Sequence, residues 1–400
     1  MVKIAILGFG IVGSGVAELL AQNAEKIAYS AADDVALKYI LDIRDFPDSP
    51  LADKFVRDFE VIEYDPEIQI VVETIGGVRA AYDFTKRALL AGKSVVTSNK
   101  ELVAIHGYEL LSIAQERNVN YLFEASVGGG TPILRPLSQC LAANEISEVS
   151  GILNGTTNYM LTQMVSNQLS FDTALKQAQD LGYAEADPSA DIEGDDTCRK
   201  ICILASLSFG QHIYPAEVPT EGIAQVTLSD LRYAQSIGRK IKLLGRAVRL
   251  QDGRVAAYVA PHLISTDNLL ANVDEVFNGI VVKGNAMGDV MFYGAGAGKL
   301  PTASAVVADV IDCVKHLKAR KYLSWGPGGA GLAADPAALS FRWYVRAPKG
   351  SESVFEGTEI LSYDGADADE AAFITGPMSQ LEIGPKLEQI GACVAFRLLG

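Results

Sequence analysis

The chain has 400 residues, 49% of them hydrophobic, and a formal net charge of −15 at pH 7. That length suffices for two or three cored domains, and the acidic balance, with no basic cluster, argues against nucleic acid as a partner. No run of about 18 apolar residues occurs, so neither a transmembrane helix nor a membrane partner is expected.

The N-terminus opens with Lys3-Ile-Ala-Ile-Leu, an apolar run of strand length. Gly8-Phe9-Gly10-Ile11-Val12-Gly13 follows, and then a helical pattern from Val16. Strand, G-x-G-x-x-G and helix in that order form a dinucleotide fingerprint. Gly8 allows the tight turn, Gly10 the approach of backbone to a pyrophosphate, and Gly13 close packing of helix on strand. The helix N-terminus offers its N–H groups to the anion.

Leu37–Asp42, Gln69–Glu73, Ser94–Thr97 and Val119–Glu124 read as further strands. Arg79–Ala91, closed by Gly92, and Tyr108–Arg117 read as helices between them. This alternation predicts an α/β fold with a Rossmann-type, doubly wound parallel sheet. Ligands of such sheets bind beyond the carboxyl ends of the strands. Ile75-Gly76, Ser98-Asn99-Lys100 and Glu124–Gly130 lie there and become candidate contacts. An acid after the second strand suits a ribose hydroxyl and an Arg suits a 2′-phosphate. Asp42 and Arg44 supply both, so NAD and NADP stay open. His106 reads as a structural histidine at a helix start.

Ser170 to Gly182 reads as a capped helix. The next stretch puts Glu185, Asp187, Asp191, Glu193, Asp195 and Asp196 in front of Lys200. A helix from Asp195 sets Asp196 and Lys200 one turn apart on one face, about 6 Å along the axis. Such a set can hold a small zwitterion and offer a proton; an acidic surface loop with an i,i+4 ion pair is the plain alternative. Thr156 and Thr157 suit a helix cap.

Lys242–Leu250 and Arg254–Ala260 flank a hairpin turn, with strands at Gly279–Lys283 and Asp289–Tyr293 beyond. They predict an α+β substrate and dimerisation domain whose sheet is open. A helix runs from Lys299 to about Lys318. Residues 325–332 read as a linker, and the last residues as a small C-terminal α+β appendage. Its elements are a strand from Ser340, Glu370–Ile374, a helix Gln380–Ile390, and a strand from Cys393. The expected boundaries are 1–130, 131–300, 301–322 for the returning helix, and 335–400. Five cysteines (140, 198, 202, 313, 393) without a C-x-x-C imply reduced thiols and a cytoplasmic protein.

Over about residues 1–320 the chain resembles homoserine dehydrogenases. The likeness lies in the glycine fingerprint, Asn99-Lys100, Glu-Ala-Ser-Val-Gly-Gly-Gly at 124–130, and Asn154-Gly-Thr-Thr-Asn158. It is strongest in Gly182-Tyr183, Asp187-Pro and Asp191-Ile-x-Gly-x-Asp196-x-x-x-Lys200. The resemblance implies NAD(P)-dependent interconversion of L-homoserine and L-aspartate 4-semialdehyde by a homodimer or larger homo-oligomer. It further implies Lys200 as proton donor and acceptor, assisted by Lys100. Glu185, Asp196, Asp191, Tyr183 and Lys100 would contact substrate. Gly8, Phe9, Gly10, Ile11, Val12, Gly13, Arg44, Ile75, Gly76, Ser98, Lys100, Gly182 and Gly298 would contact cofactor. Glu124, Val127, Gly129 and Thr131 would hold a monovalent cation, Na+, through backbone carbonyls. Many members end in an ACT regulatory domain with Pro-Gly after its first strand; here Ala347-Pro-Lys-Gly departs from that pattern. Competing readings are a related oxidoreductase for another amino-acid alcohol, favoured had the 178–200 signature been absent, and a cofactor-binding sensor, favoured had Lys200 been missing.

Overall fold

The computed structural model describes residues 1–319, 323–329, 331–392 and 394–399. The chain begins with β1 (Val2–Leu7), α1 (Ile11–Gln22), α2 (Ala24–Ala31), β2 (Val35–Leu41), β3 (Phe55–Val56) and α3 (Glu60–Glu63). β4 (Ile68–Glu73), α4 (Arg79–Leu90), β5 (Ser94–Thr97), α5 (Lys100–Glu116), β6 (Tyr121–Leu122) and α6 (Ala125–Gly128) follow. Six parallel strands stand in the order β3-β2-β1-β4-β5-β6, as a doubly wound sheet requires. The order reverses between β1 and β4, which opens the binding crevice there.

The middle of the chain supplies β7 (Ile146–Ile152), α7 (Gly155–Ser166), α8 (Phe171–Asp180), α9 (Ser189–Ile192), α10 (Asp195–Phe209), α11 (Leu228–Ser236), β8 (Arg239–Arg249), β9 (Val255–Ser265), β10 (Phe277–Gly284) and β11 (Gly288–Ala295). Then come α12 (Lys299–Lys315), β12 (Ser340–Phe341), β13 (Trp343–Pro348), β14 (Glu359–Leu361), β15 (Glu370–Ile374), β16 (Met378–Ser379), α13 (Gln380–Ile390) and β17 (Val394–Leu399). The chain forms two compact units. One comprises Met1–Glu145, Cys202–Pro215 and Gly294–Gly329; the other comprises Ile146–Ile201, Ala216–Tyr293 and Ala330–Gly400.

In the first unit Ile4, Ile6, Ile70, Val72 and Val96 of the sheet pack with Val16, Leu20, Ile27, Val306 and Val310 of α1, α2 and α12. Ala5, Leu7, Val71 and Val95 are equally buried. Burial on both faces explains why these strands read as continuous apolar runs. Helix α5 starts at Lys100, not at Tyr108, and His106 therefore sits inside it. Gly107 is a helical residue whose added Cβ would lie 2.6 Å from the Trp325 ring. Trp325, the first residue of the expected linker, is itself buried and donates from Nε1 to His212 Nδ1 at 3.0 Å; the chain passes from one unit to the other within that linker, after Gly329.

In the second unit a nine-stranded sheet runs β11-β10-β7-β8-β9-β17-β13-β15-β14. The hairpin strands β8 and β9 are longer than expected, pairing from Arg239↔Ser265 to Arg249↔Val255. β9 is buried from Val255 to Ile264 and takes β17 as a parallel neighbour at Arg397↔His262. The hairpin is therefore interior rather than open, and the C-terminal strands extend its sheet. The strand expected from Ser340 is broken at Arg342 into β12 and β13. Cys393 and residues 320–322 of the expected last strand and returning segment lie outside the described residues.

Candidate active site

In the first unit the glycine turn after β1 is built by contacts that admit no side chain. Gly8 has φ +88°, and a Cβ on Gly13 would lie 2.0 Å from the Gly8 carbonyl oxygen. Phe9 packs edge-on against Phe46 and Phe55, which leaves Ile11 exposed at the start of α1. Asp42 accepts the Phe9 N–H at 2.7 Å and the Arg44 N–H at 2.9 Å. It also takes both arms of the Arg44 guanidinium, at 3.0 and 2.9 Å. The side-chain hydrogen bond from Arg44 holds the Asp42 carboxyl well below the usual carboxylate range.

A second network joins the ends of β4 and β5. Glu73 is fully buried, accepts the Ile75 N–H at 2.6 Å, and receives the Thr97 hydroxyl. Burial pushes its carboxyl up to about 7. Asn99 caps α5 by accepting the Leu102 N–H at 3.1 Å. Its amide donates to the carbonyls of Ile75 and Gly77 at 3.3 and 2.7 Å. Ser98 donates its N–H to the Glu73 carbonyl at 3.4 Å, and Lys100 is the first residue of α5. The loop bearing Ile75 and Gly76 is thus tied to the helix start that bears Lys100. Gly298, at φ +121°, precedes α12.

The 124–131 segment follows the carboxyl end of β6, as expected, and opens with the short helix α6. The Glu124 carboxylate accepts the N–H groups of Ile133, Leu134 and Arg135 at 2.6–2.8 Å. Its side chain is thereby engaged by backbone. Gly129 has φ +57°, and a Cβ there would lie 2.2 Å from the Gly296 carbonyl oxygen. The Thr131 hydroxyl is buried without a hydrogen-bond partner. Among the described residues no cluster of three His, Cys, Asp or Glu could hold a metal. An oxygen-only set of the kind expected at Val127, Gly129 and Thr131 suits a hard cation.

The second unit gathers Asp191, Asp196 and Lys200. Gly194, at φ +91°, turns the chain into α10, and the Cys198 N–H already bonds the Gly194 carbonyl at 2.8 Å. Lys200 Nζ donates to Asp196 Oδ2 at 2.8 Å and to the Leu153 carbonyl at 2.7 Å. Asn154 Nδ2 donates to Asp191 Oδ1 at 2.7 Å and to the same Asp196 Oδ2 at 2.9 Å. Asp196 and Lys200 are 5% and 8% exposed, so this is no solvated surface pair. Burial first, and the charge of Asp196 second, push the Asp191 carboxyl above its ordinary value. Tyr183 stacks edge-on against Tyr159 at 5.0 Å, and its carbonyl accepts the Thr156 hydroxyl at 2.7 Å. Thr156 and Thr157 are not the cap of α7; Asn154 is. Gly182 (φ +74°) and Glu185 lie exposed on the loop after α8.

Residues 8–124 match the family model described as homoserine dehydrogenase, NAD binding domain, and residues 132–311 match that of homoserine dehydrogenase. A homoserine dehydrogenase of Pseudomonas aeruginosa is 43% identical over 317 residues, covering 79% of this chain and 73% of the relative. The chain belongs to the homoserine dehydrogenase family. A Synechocystis homoserine dehydrogenase is 44% identical over 325 residues, covering 78% and 73% of the two chains. The crystal structure of a homoserine dehydrogenase from Thiobacillus denitrificans superposes with a TM-score of 0.89 at 34% identity, over 100% of this chain and 98% of that one. A hyperthermophilic archaeal homoserine dehydrogenase in complex with NADPH gives 0.67 at 28% identity, over 80% and 99%.

Membership makes this chain an NAD(P)-binding oxidoreductase, with its glycine turn inside the segment matched as NAD binding. No described helix is long and apolar enough to cross a membrane. Asn154, Glu73 and Thr97 are parts of these networks to which the sequence assigned no role, and Asn99, a candidate contact by position, is also a helix cap. A signal for the two asparagines existed in an Asn one or two residues ahead of a helical pattern.

Proposed function

We propose that this family member interconverts L-homoserine and L-aspartate 4-semialdehyde on the aspartate-derived route to threonine, methionine and isoleucine. The observation that carries the residue assignment is the buried Asp191–Asn154–Asp196–Lys200 network. When bound, the nicotinamide supplies the hydride, and the protein has one proton to manage. Lys200 is the proton donor at the substrate oxygen in reduction and its acceptor in oxidation. Its ammonium is held by Asp196 and the Leu153 carbonyl, so it meets the substrate in a fixed direction. Asp191 and Asp196, with Glu185 and Tyr183 from the preceding loop, receive the amino-acid end of the substrate. Lys100, at the carboxyl end of β5, and Gly182 and Gly298 complete the proposed contacts.

The cofactor preference is proposed as NADP. The charge of Asp42 is already matched by Arg44 and turned to the Phe9 N–H, which weakens its repulsion of a 2′-phosphate. Arg44 is more than half exposed and can fork onto that phosphate. Carbonyls of Glu124, Val127, Gly129 and Thr131 are proposed to hold Na+. Residues 131–300 are proposed to form the substrate and dimerisation region, the open edge at β11 with its stacked Phe277 and Tyr293 being the favoured contact. Following NADPH and NADH oxidation separately with aspartate semialdehyde tests activity and preference together. No oxidation with either cofactor would end the proposal.

A further inference from the structure

Asn154 stands where two requirements meet. As N-cap of α7 its Oδ1 accepts the Thr157 N–H at 2.8 Å and lies 3.0 Å from the Thr157 hydroxyl. An acceptor must face that N–H, so the orientation of the amide is fixed and its NH2 must face the opposite way. There it meets two carboxylates, Asp191 at the end of α9 and Asp196 at the start of α10. The amide is 5% exposed and engaged at both ends.

We propose that Asn154 is a positioning residue of the reaction, its two N–H groups holding Asp191 and Asp196 side by side as an anionic cradle for the substrate's ammonium group. This rests on the reading of Asp191, Asp196 and Lys200 given above. Burial first and the charge of Asp196 second raise the Asp191 carboxyl. One N–H to each carboxylate favours the ionised form of both and fixes which oxygens face the substrate. Asp196 Oδ2 also anchors Lys200, so the same amide sets the position of the proton donor. The charged groups acting on Asp191 are Asp196 and Lys200 of α10; the 154–156 turn adds Asn154 and the Thr156 hydroxyl.

The test separates cap from cradle. Asn154→Ser and Asn154→Asp both keep an oxygen that caps α7, but neither can give one N–H to each acid. Both variants should melt cooperatively, the Ser variant nearer to wild type and the Asp variant lower, because its carboxylate faces two others. KM for aspartate semialdehyde should rise about tenfold or more, the scale of a lost hydrogen bond to a charged group. kcat should fall less, and KM for NADPH should hold. The acid limb of kcat/KM should move to higher pH, further in the Asp variant, because Asp191 loses a donor that favours its ionised form. Equal losses in kcat and kcat/KM with an unmoved limb, wild-type kinetics, or failure of both variants to fold would each overturn the cradle. Lys200→Ala is run beside them. If it keeps its turnover, the reading of the whole site falls; if it is inactive while the Asn154 variants behave as wild type, only the cradle falls.

Discussion

Asn99 and Asn154 are the same device used on two kinds of partner. Each caps a helix through Oδ1, of α5 and α7 respectively, and each sends its NH2 to two acceptors. Asn99 gives its protons to the neutral carbonyls of Ile75 and Gly77, and so ties down a loop. Asn154 gives its protons to two carboxylates, and so holds charge. Hydrogen bonds to charged groups are the stronger kind. On the function proposed above, the first asparagine would shape a surface for the cofactor, while the second would set the electrostatics around the proton donor.

Several substitutions probe that contrast. Lys200→Ala should have the largest effect, lowering kcat by about 100-fold or more, the scale of a positioned acid or base. Cofactor binding, followed by fluorescence titration with NADPH, should survive. Asn99→Asp keeps the cap of α5 and sets a carboxylate against two carbonyls. It should raise KM for the dinucleotide about three- to tenfold and leave the acid limb of kcat/KM in place, unlike the change at Asn154. A moved limb would erase the distinction between the two asparagines.

Arg44→Ala should raise KM for NADPH several-fold and leave NADH little changed, about the worth of one charge-assisted bond. Equal loss of both cofactors would show that Arg44 does not read the phosphate. The smallest effect is expected in stability. The folded-state value of Glu73, about 7, lies above its unfolded value near ~4.3. Its contribution is full below the unfolded value and is lost as pH rises through about 7. Between about pH 5 and 8 the wild-type Tm should fall by about 2–4 °C relative to Glu73→Gln. Calorimetry showing parallel curves would mean that Glu73 is ionised throughout.

Much of this architecture is legible in the sequence, and the gaps have physical causes. The glycine fingerprint is local: every contact that demands Gly8 and Gly13 comes from the turn or a neighbouring strand end. Asp196 and Lys200 are legible because helix period alone puts them together. The cap role of Asn99 is not, because the helix reads as starting only at Tyr108, after Gly107. The reason for that glycine is the ring of Trp325, supplied from far along the chain by a segment that reads as a linker. The amide of Asn154 suffers similarly. Its cap role follows from spacing, but its other partners arrive on α9 and α10, and only the folded unit brings the three turns together. The Glu124 carboxylate is not legible either, because the three backbone N–H groups it serves belong to residues 133–135, beyond the glycine loop.

The parallel pairing of β17 with β9 also governs how the molecule is made. The hairpin β8–β9 emerges from the ribosome long before residues 394–399 are synthesised; Val259 is bridged by the earlier Thr220, but until β17 arrives the His262–Ile264 end of β9 lacks its strand partner. A nascent chain paused in that interval presents a sticky ribbon that other chains can extend. Removing residues 394–399 to obtain a smaller enzyme should therefore lower solubility, unless the exposed His262–Ile264 end of β9 is first furnished with charge.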